Sequence, residues 1–173
     1  MEALLEFGKI IIPAAIVLYA MYLVVNSFLQ KEFEKRLIDI KLKNTDVVLP
    51  IRLQAYERLS LFLERISPNN LVLRLNNSGY NAKQFQQILQ NEVREEYNHN
   101  LSQQVYVGDE VWDFVKNAKE EVTTVINKAA EKMTEESKSI DLAKAIFELM
   151  MQKQSDPITV ALSKLKEEIR VMF

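Results

Sequence analysis

Residues 10–30 form a run of twenty-one positions without one charged side chain, opening Ile10-Ile11-Ile12-Pro13-Ala14-Ala15-Ile16-Val17-Leu18-Tyr19-Ala20-Met21-Tyr22-Leu23-Val24-Val25. At about 1.5 Å of rise per residue such a run matches a bilayer's hydrocarbon core, which about 20 apolar residues cross. A retained membrane anchor is the expectation. A cleaved signal peptide would want a basic lead, a shorter apolar core and a small-x-small cleavage site; here Glu2 and Glu6 precede a single Lys9, and the run ends in Asn26-Ser27-Phe28-Leu29. Lys31, Lys35, Arg36, Lys41 and Lys43 follow the run. Cationic flanks stay in the cytoplasm, so the amino terminus is expected outside and the remainder of the chain inside.

The rest of the composition narrows the function classes. Lys and Arg number 22 against 24 Asp and Glu, a formal charge of -2, so no general basic field recruits nucleic acid. The basic residues after the run are interleaved with Glu32, Glu34 and Asp39, which describes a solvated helix face first and a lipid-headgroup contact second. Cysteine is absent, which removes disulfides, a thiolate nucleophile and cysteine-ligated zinc.

About 140 residues remain beyond the run, enough for one domain. Three glycines and four prolines punctuate the whole chain, so the reading is all-α: an N-terminal transmembrane helix followed by a cytoplasmic multi-helix bundle. Three divisions follow, an anchor over 1–30, a juxtamembrane helical stalk over 31–46 carrying Phe33, Leu37 and Ile40, and a helical domain over 47–173. Asn44-Thr45-Asp46 offers a break, and Val47-Val48-Leu49-Pro50 reads as extended or a turn because the residue before proline avoids the helical region.

Within the domain, a helix over 51–66 should turn Ala55, Tyr56, Leu59, Phe62, Leu63 and Ile66 inward. Ser67-Pro68 is a strong start signal, serine as cap and proline at the first helical position, for a short helix to Leu75. A longer helix from Asn81 places Phe85, Ile88, Leu89, Val93, Tyr97 and Leu101 on one side, followed by a β-leaning Val105-Tyr106-Val107. From Asp109 to about Met133 the seam Val111, Val115, Ala118, Val122, Val125 and Ala129 repeats at four and three, the pattern of an intramolecular bundle. Ser139 should cap a well-buried helix bearing Ile140, Leu142, Ala143, Ile146, Phe147, Leu149, Met150 and Met151. Asp156-Pro157 starts the last helix, striped by Ile158, Ala161, Leu162, Leu165 and Ile169.

Candidates for chemistry are few. His99 is the one histidine, and Glu96 stands three residues before it, the spacing by which helical bundles present two ligands to a di-metal centre. Such a centre needs the motif twice and two further carboxylates, so a histidine near a helix end, favouring the dipole or pairing with Glu95, is the simpler reading. No nucleophile elbow or glycine-rich phosphate cradle occurs, so no catalytic, cofactor-binding or metal residues are assigned and an enzyme is not expected. Trp112 is the sole tryptophan, read as a core ring first and a partner contact second. Gln84, Gln86, Gln87 and Gln90 read as a solvated face. Inside the apolar run, Ala15, Tyr19, Tyr22 and Asn26 fall on one side of a helix, and a tyrosine hydroxyl and an amide at that depth want hydrogen-bonding neighbours.

The stretch Leu49-Pro50-Ile51-Arg52-Leu53-Gln54-Ala55-Tyr56-Glu57-Arg58-Leu59, continuing through Leu63-Glu64-Arg65-Ile66 to Pro68, resembles a family of uncharacterised bacterial proteins with one N-terminal membrane span. His99-Asn100-Leu101-Ser102-Gln103-Gln104-Val105-Tyr106-Val107, followed by Trp112 and Ala118-Lys119-Glu120-Glu121, is similar to a second signature of that family. The resemblance implies a bacterial inner membrane location and a helical cytoplasmic domain, and carries no activity. Arg52, Tyr56 and Arg65 are the polar signature members to follow, with Trp112, as a possible partner surface. The expected role is a non-catalytic membrane-anchored scaffold or accessory subunit whose partners are membrane lipid and another protein or further copies of itself. No nucleic acid, small-molecule substrate or cofactor is implied. A homo-oligomeric channel with the Tyr19, Tyr22, Asn26 line inward is the alternative, and a metal-dependent activity on Glu96 and His99 a third.

Overall fold

The computed structural model describes residues 2–153 and 155–171, with side chains described for these except at 2–10, 12–14 and 41–45. Its first element is a single long helix, α1, Glu2–Ile66. The chain divides into two units, Met1–Leu49 and Pro50–Phe173, and α1 contributes to both.

In the first unit the described side chains are exposed almost without exception, including Ile16, Val17, Leu18, Met21, Val24 and Phe28. The expected break at Asn44-Thr45-Asp46 and the expected extended Val47-Val48-Leu49-Pro50 are both corrected, since the backbone is helical throughout. Proline removes one helix bond, here the one to the Asp46 carbonyl, and that loss stays local. No glycine lies between Lys9 and Ser78 to add a second defect, so the helix runs through. Among the described residues no helix is long and apolar enough to cross a membrane. The expected span over 10–30 begins in part outside them, since the side chains at 10 and 12–14 are not described.

The second unit is a packed all-α bundle. After α1 come α2 (Pro68–Leu75), α3 (Ala82–Asn100), a 3-10 helix (Leu101–Val105), α4 (Asp109–Ala130), α5 (Ser139–Met151) and α6 (Pro157–Val171). Helix α4 packs against α3, α5 and α6. Its whole predicted seam is buried, from Val111 to Ala129, because small Val and Ala side chains let neighbouring helices approach. Ala55, Tyr56, Leu59, Phe62, Leu63 and Ile66 of α1 are buried as the periodicity required. The apolar faces of α1 to α6 meet in one core, where Phe62, Phe85, Ile126 and Ile146 are among the largest enclosed side chains.

Cap chemistry explains most boundaries. Asn81 closes a capping box with Gln84: its Oδ1 accepts from the Gln84 N–H at 2.8 Å, and Gln84 Oε1 accepts from the Asn81 N–H at 3.1 Å. Asp156 accepts from the Ile158 and Thr159 amides at 3.1 and 3.3 Å and starts α6. Ser67 precedes Pro68 as expected but makes no side-chain cap; its hydroxyl turns back and donates to the Glu64 carbonyl at 2.8 Å. Ser139 is not a cap either. It lies inside α5, buried, and donates to the Asn77 carbonyl at 2.9 Å, while the Lys138 N–H donates to Asp141. Backbone bonds Ala82 N to Ser137 O and Ser139 N to Tyr80 O stitch the starts of α3 and α5 together.

Four further expectations change. Val105-Tyr106-Val107 is not extended, because a 3-10 turn ends there. Leu101 opens that 3-10 helix on the exposed side, and Ile140 and Met151 on α5 are exposed rather than buried. Gln86 and Gln90 are half-buried, and both side-chain amides donate to Asn127 Oδ1 on α4, at 3.1 Å from Gln86.

Candidate functional site

The two sequence signatures meet in the bundle, and the third partner at their junction is one the sequence did not announce. Arg52 and Tyr56 stand one turn apart on α1. Arg52 Nε donates to the Tyr106 carbonyl at 3.0 Å, and its Nη2 donates to the Tyr56 hydroxyl at 3.1 Å and approaches Glu168 Oε1 at 3.4 Å. The Tyr56 hydroxyl in turn donates to Glu168 Oε1 at 2.6 Å. The same oxygen accepts from the Gly108 N–H at 2.8 Å. One carboxylate on α6 thus ties together α1 and the turn that opens α4.

Electrostatics follow from that geometry. Burial first, then the hydrogen bond to Glu168, pushes the Tyr56 phenol up to about 12, so it remains a neutral donor across the physiological range. Gly108 is required for contact rather than conformation: its φ of -69° suits any residue, but a Cβ there would lie 3.1 Å from Glu168 Oε2. The outer edge of the cluster opens on a cleft of about 540 Å³ whose lining includes Arg52, Asp109, Lys164, Glu167 and Glu168. Glu168 Oε1 and the Tyr56 hydroxyl are engaged within the chain, so the arrangement acts as a latch between α1, α6 and the start of α4.

The second signature residue pair lies on another face. Arg65 Nη2 contacts Glu96 Oε1 at 2.6 Å, and Glu92 bridges to Arg74 at 2.5 Å and more loosely to Arg65 at 3.9 Å. Arg65, Glu92 and Glu96 border a pocket of about 300 Å³ together with Glu95 and His99. The Glu96 carboxylate that a metal would need is therefore committed to a guanidinium. Among the described residues no group of three or more His, Cys, Asp and Glu side chains is placed to hold a metal ion.

The four signature residues do not form one open surface. Tyr56 and Trp112 are buried, the latter in the core place that was its first reading, while Arg52 is half-buried and Arg65 is exposed. Trp112 stacks on Tyr97 with ring centroids 5.8 Å apart, and Tyr97 tilts against Phe62 at 6.1 Å. Lys119 Nζ lies 5.2 Å from the Tyr97 centroid. Burial raises the Tyr97 phenol above its ordinary value. Ala15, Tyr19, Tyr22 and Asn26 are all exposed on α1 in the first unit.

Sequence reasoning missed Glu168, Glu92 and Asn127. A signal existed for Glu168: it falls three residues after Leu165 and seven after Ala161, on the buried side of α6, where a carboxylate needs a partner. The neighbouring Lys166 and Glu167 masked it as part of a charged run.

The chain matches a family of unknown function (DUF7935) over residues 2–172 and belongs to it. No curated protein and no solved structure matches it.

Proposed function

We propose that this family member is a membrane-tethered helical module without catalytic function, in which the apolar amino-terminal part of α1 anchors the chain and the bundle braces or recruits another protein at the cytoplasmic face. One observation carries the tether. Ile16, Val17 and Leu18 are consecutive, so they point about 100° apart around the helix, yet they are 64, 65 and 67% exposed. A neighbouring protein helix covers one side of such a segment, whereas lipid covers all of it. The cations that follow, Lys31, Lys35 and Arg36, support an inside location for the bundle, which in a bacterium means tethering to the inner membrane.

The latch supports the non-catalytic half of the reading, because Glu168 Oε1 and the Tyr56 hydroxyl are spent on each other and on Arg52 and Gly108. Washing membranes with alkaline carbonate tests the tether: the chain is expected to stay with the pellet, and release into the supernatant overturns it. For the scaffold role, mild-detergent extracts should contain the chain in complexes above its own 20.1 kDa. Migration as a lone monomer from native membranes overturns that half.

A further inference from the structure

We infer that α6 is a lid over the first half of α4, fastened at Glu168, and that it opens while the rest of the bundle stays folded. The inference goes beyond the tethered scaffold reading and depends on neither a membrane nor a partner.

The course of α6 follows from what it borders. A cleft of about 390 Å³ is lined by Phe114, Ala118 and Glu121 of α4 together with Pro157 and Val160 at the start of α6. The cleft of about 540 Å³ beside the latch brings Glu110 and Val111 of α4 together with Lys164 and Val171 towards its end. Between them, Lys164 Nζ stands 5.9 Å from the Phe114 ring centroid. Helix α6 therefore runs antiparallel to α4 across residues 110–121, with open space beside the contact at each end.

That contact is narrow. Ile158, Ala161 and Leu165 are the buried residues of α6, three of fifteen, whereas α5 buries five of thirteen and packs against α2, α3 and α4. Segments with few buried apolar contacts open at lower cost than the whole fold. The latch supplies what the apolar strip lacks. Glu168 follows Leu165 by three residues, and its Oε1 holds the Tyr56 hydroxyl at 2.6 Å and the Gly108 N–H at 2.8 Å, both outside α6. These bonds break only when the end of α6 leaves α1 and the start of α4. The Glu168 side chain is already 22% exposed, so it passes into water on opening and strands no charge in the core. Two of its donors, Arg52 and Tyr56, belong to α1. By linkage, a displacement of α1 from Glu168 favours the open lid, and an open lid loosens α1.

Ala118 and Ala129 are both fully buried on α4, about three turns apart on the same side, and only the first lies in the stretch that α6 crosses. The chain has no native cysteine, so Ala118→Cys and Ala129→Cys each carry a single thiol for a maleimide reagent. In the full chain in mild detergent, Ala118→Cys should label about tenfold faster than Ala129→Cys, as an opening short of global unfolding requires. Adding Glu168→Ala should speed labelling of Ala118→Cys several-fold and leave Ala129→Cys unchanged. Equal rates at the two positions, or a faster Ala129→Cys, overturn the lid. An effect of Glu168→Ala that is the same at both positions also overturns it, because the bundle then opens as one unit. A fast Ala118→Cys that ignores Glu168→Ala overturns the fastening.

Discussion

Tyr56→Phe removes one oxygen from the latch and leaves the buried ring in place. Two interactions go, the 2.6 Å bond donated to Glu168 and the 3.1 Å bond accepted from Arg52. Glu168 keeps the Gly108 amide at 2.8 Å and Arg52 at 3.4 Å, so no buried charge is stranded. Hydrogen bonds to charged groups are worth about 1.5–3 kcal/mol net, and the lower end applies here because solvent reaches the Arg52 edge of the cluster. A loss of about 1.5 kcal/mol at pH 7 is expected, read as a drop of several degrees in the melting midpoint of the full chain in mild detergent. Alkaline pH supplies the sign check. The phenol titrates near 10 when unfolded and at about 12 in the fold. A group whose folded value is raised contributes stability that is complete below the unfolded value and lost as pH rises through the folded one. Undiscounted, a shift of that size is worth on the order of 3 kcal/mol, and solvent at the open edge reduces it to roughly half. The gap between wild type and Tyr56→Phe should therefore close between pH 10 and 12. Equal midpoints at pH 7, or a gap that stays constant up to pH 12, would refute the assignment of the Tyr56 hydroxyl as a donor to Glu168.

Gly108→Ala should destabilise the bundle by about 1 kcal/mol, since the added carbon crowds a carboxylate held from several sides; denaturant midpoints check it, and the penalty should shrink when Glu168→Ala is combined with it. Trp112→Ala should cost about 3–5 kcal/mol through the cavity beside Tyr97, and wild-type fluorescence should be blue-shifted as befits the sole, buried tryptophan. Arg65→Ala removes an exposed ion pair and should cost under about 1 kcal/mol in a thermal melt, with a larger loss pointing to a role beyond pairing with Glu96.

The bundle was largely legible because its helices are amphipathic at one period. Six inward residues on the last part of α1 and six on α4 could be named from spacing alone, since burial of an apolar stripe depends on little else. Long-range polar partners were not legible. Nothing local links Tyr56 to Glu168, 112 positions away, or Gln86 to Asn127. The break at Val47–Pro50 was misread for the opposite reason: a local rule about proline was given more weight than the helix-favouring residues on both sides. Trp112 was legible as a core ring and Tyr56 as an inward residue, but the Arg52 and Glu168 partners of the Tyr56 hydroxyl were not. Here the motif holds the fold together.

The two units differ in how their apolar surface is covered. In the bundle, large side chains such as Leu59, Phe85, Ile146 and Leu165 are enclosed, and among the described residues no buried side-chain nitrogen or oxygen lacks a partner. Its interior is accounted for within one chain. In the first unit the described apolar side chains from Ile11 through Val47 are exposed. At about 25 cal/mol per Å² of apolar area, exposed valine, leucine, isoleucine and phenylalanine side chains in such numbers amount to a large unrealised stabilisation. The unrealised part is not uniform along the helix. Over residues 16–25 it surrounds the axis, and over residues 31–40 the exposed Phe33, Leu37, Ile38 and Ile40 alternate with charged residues. The all-round exposure of Ile16, Val17 and Leu18 is the part that the proposed tether accounts for, and retention in the carbonate-washed pellet is the measurement on which that account stands.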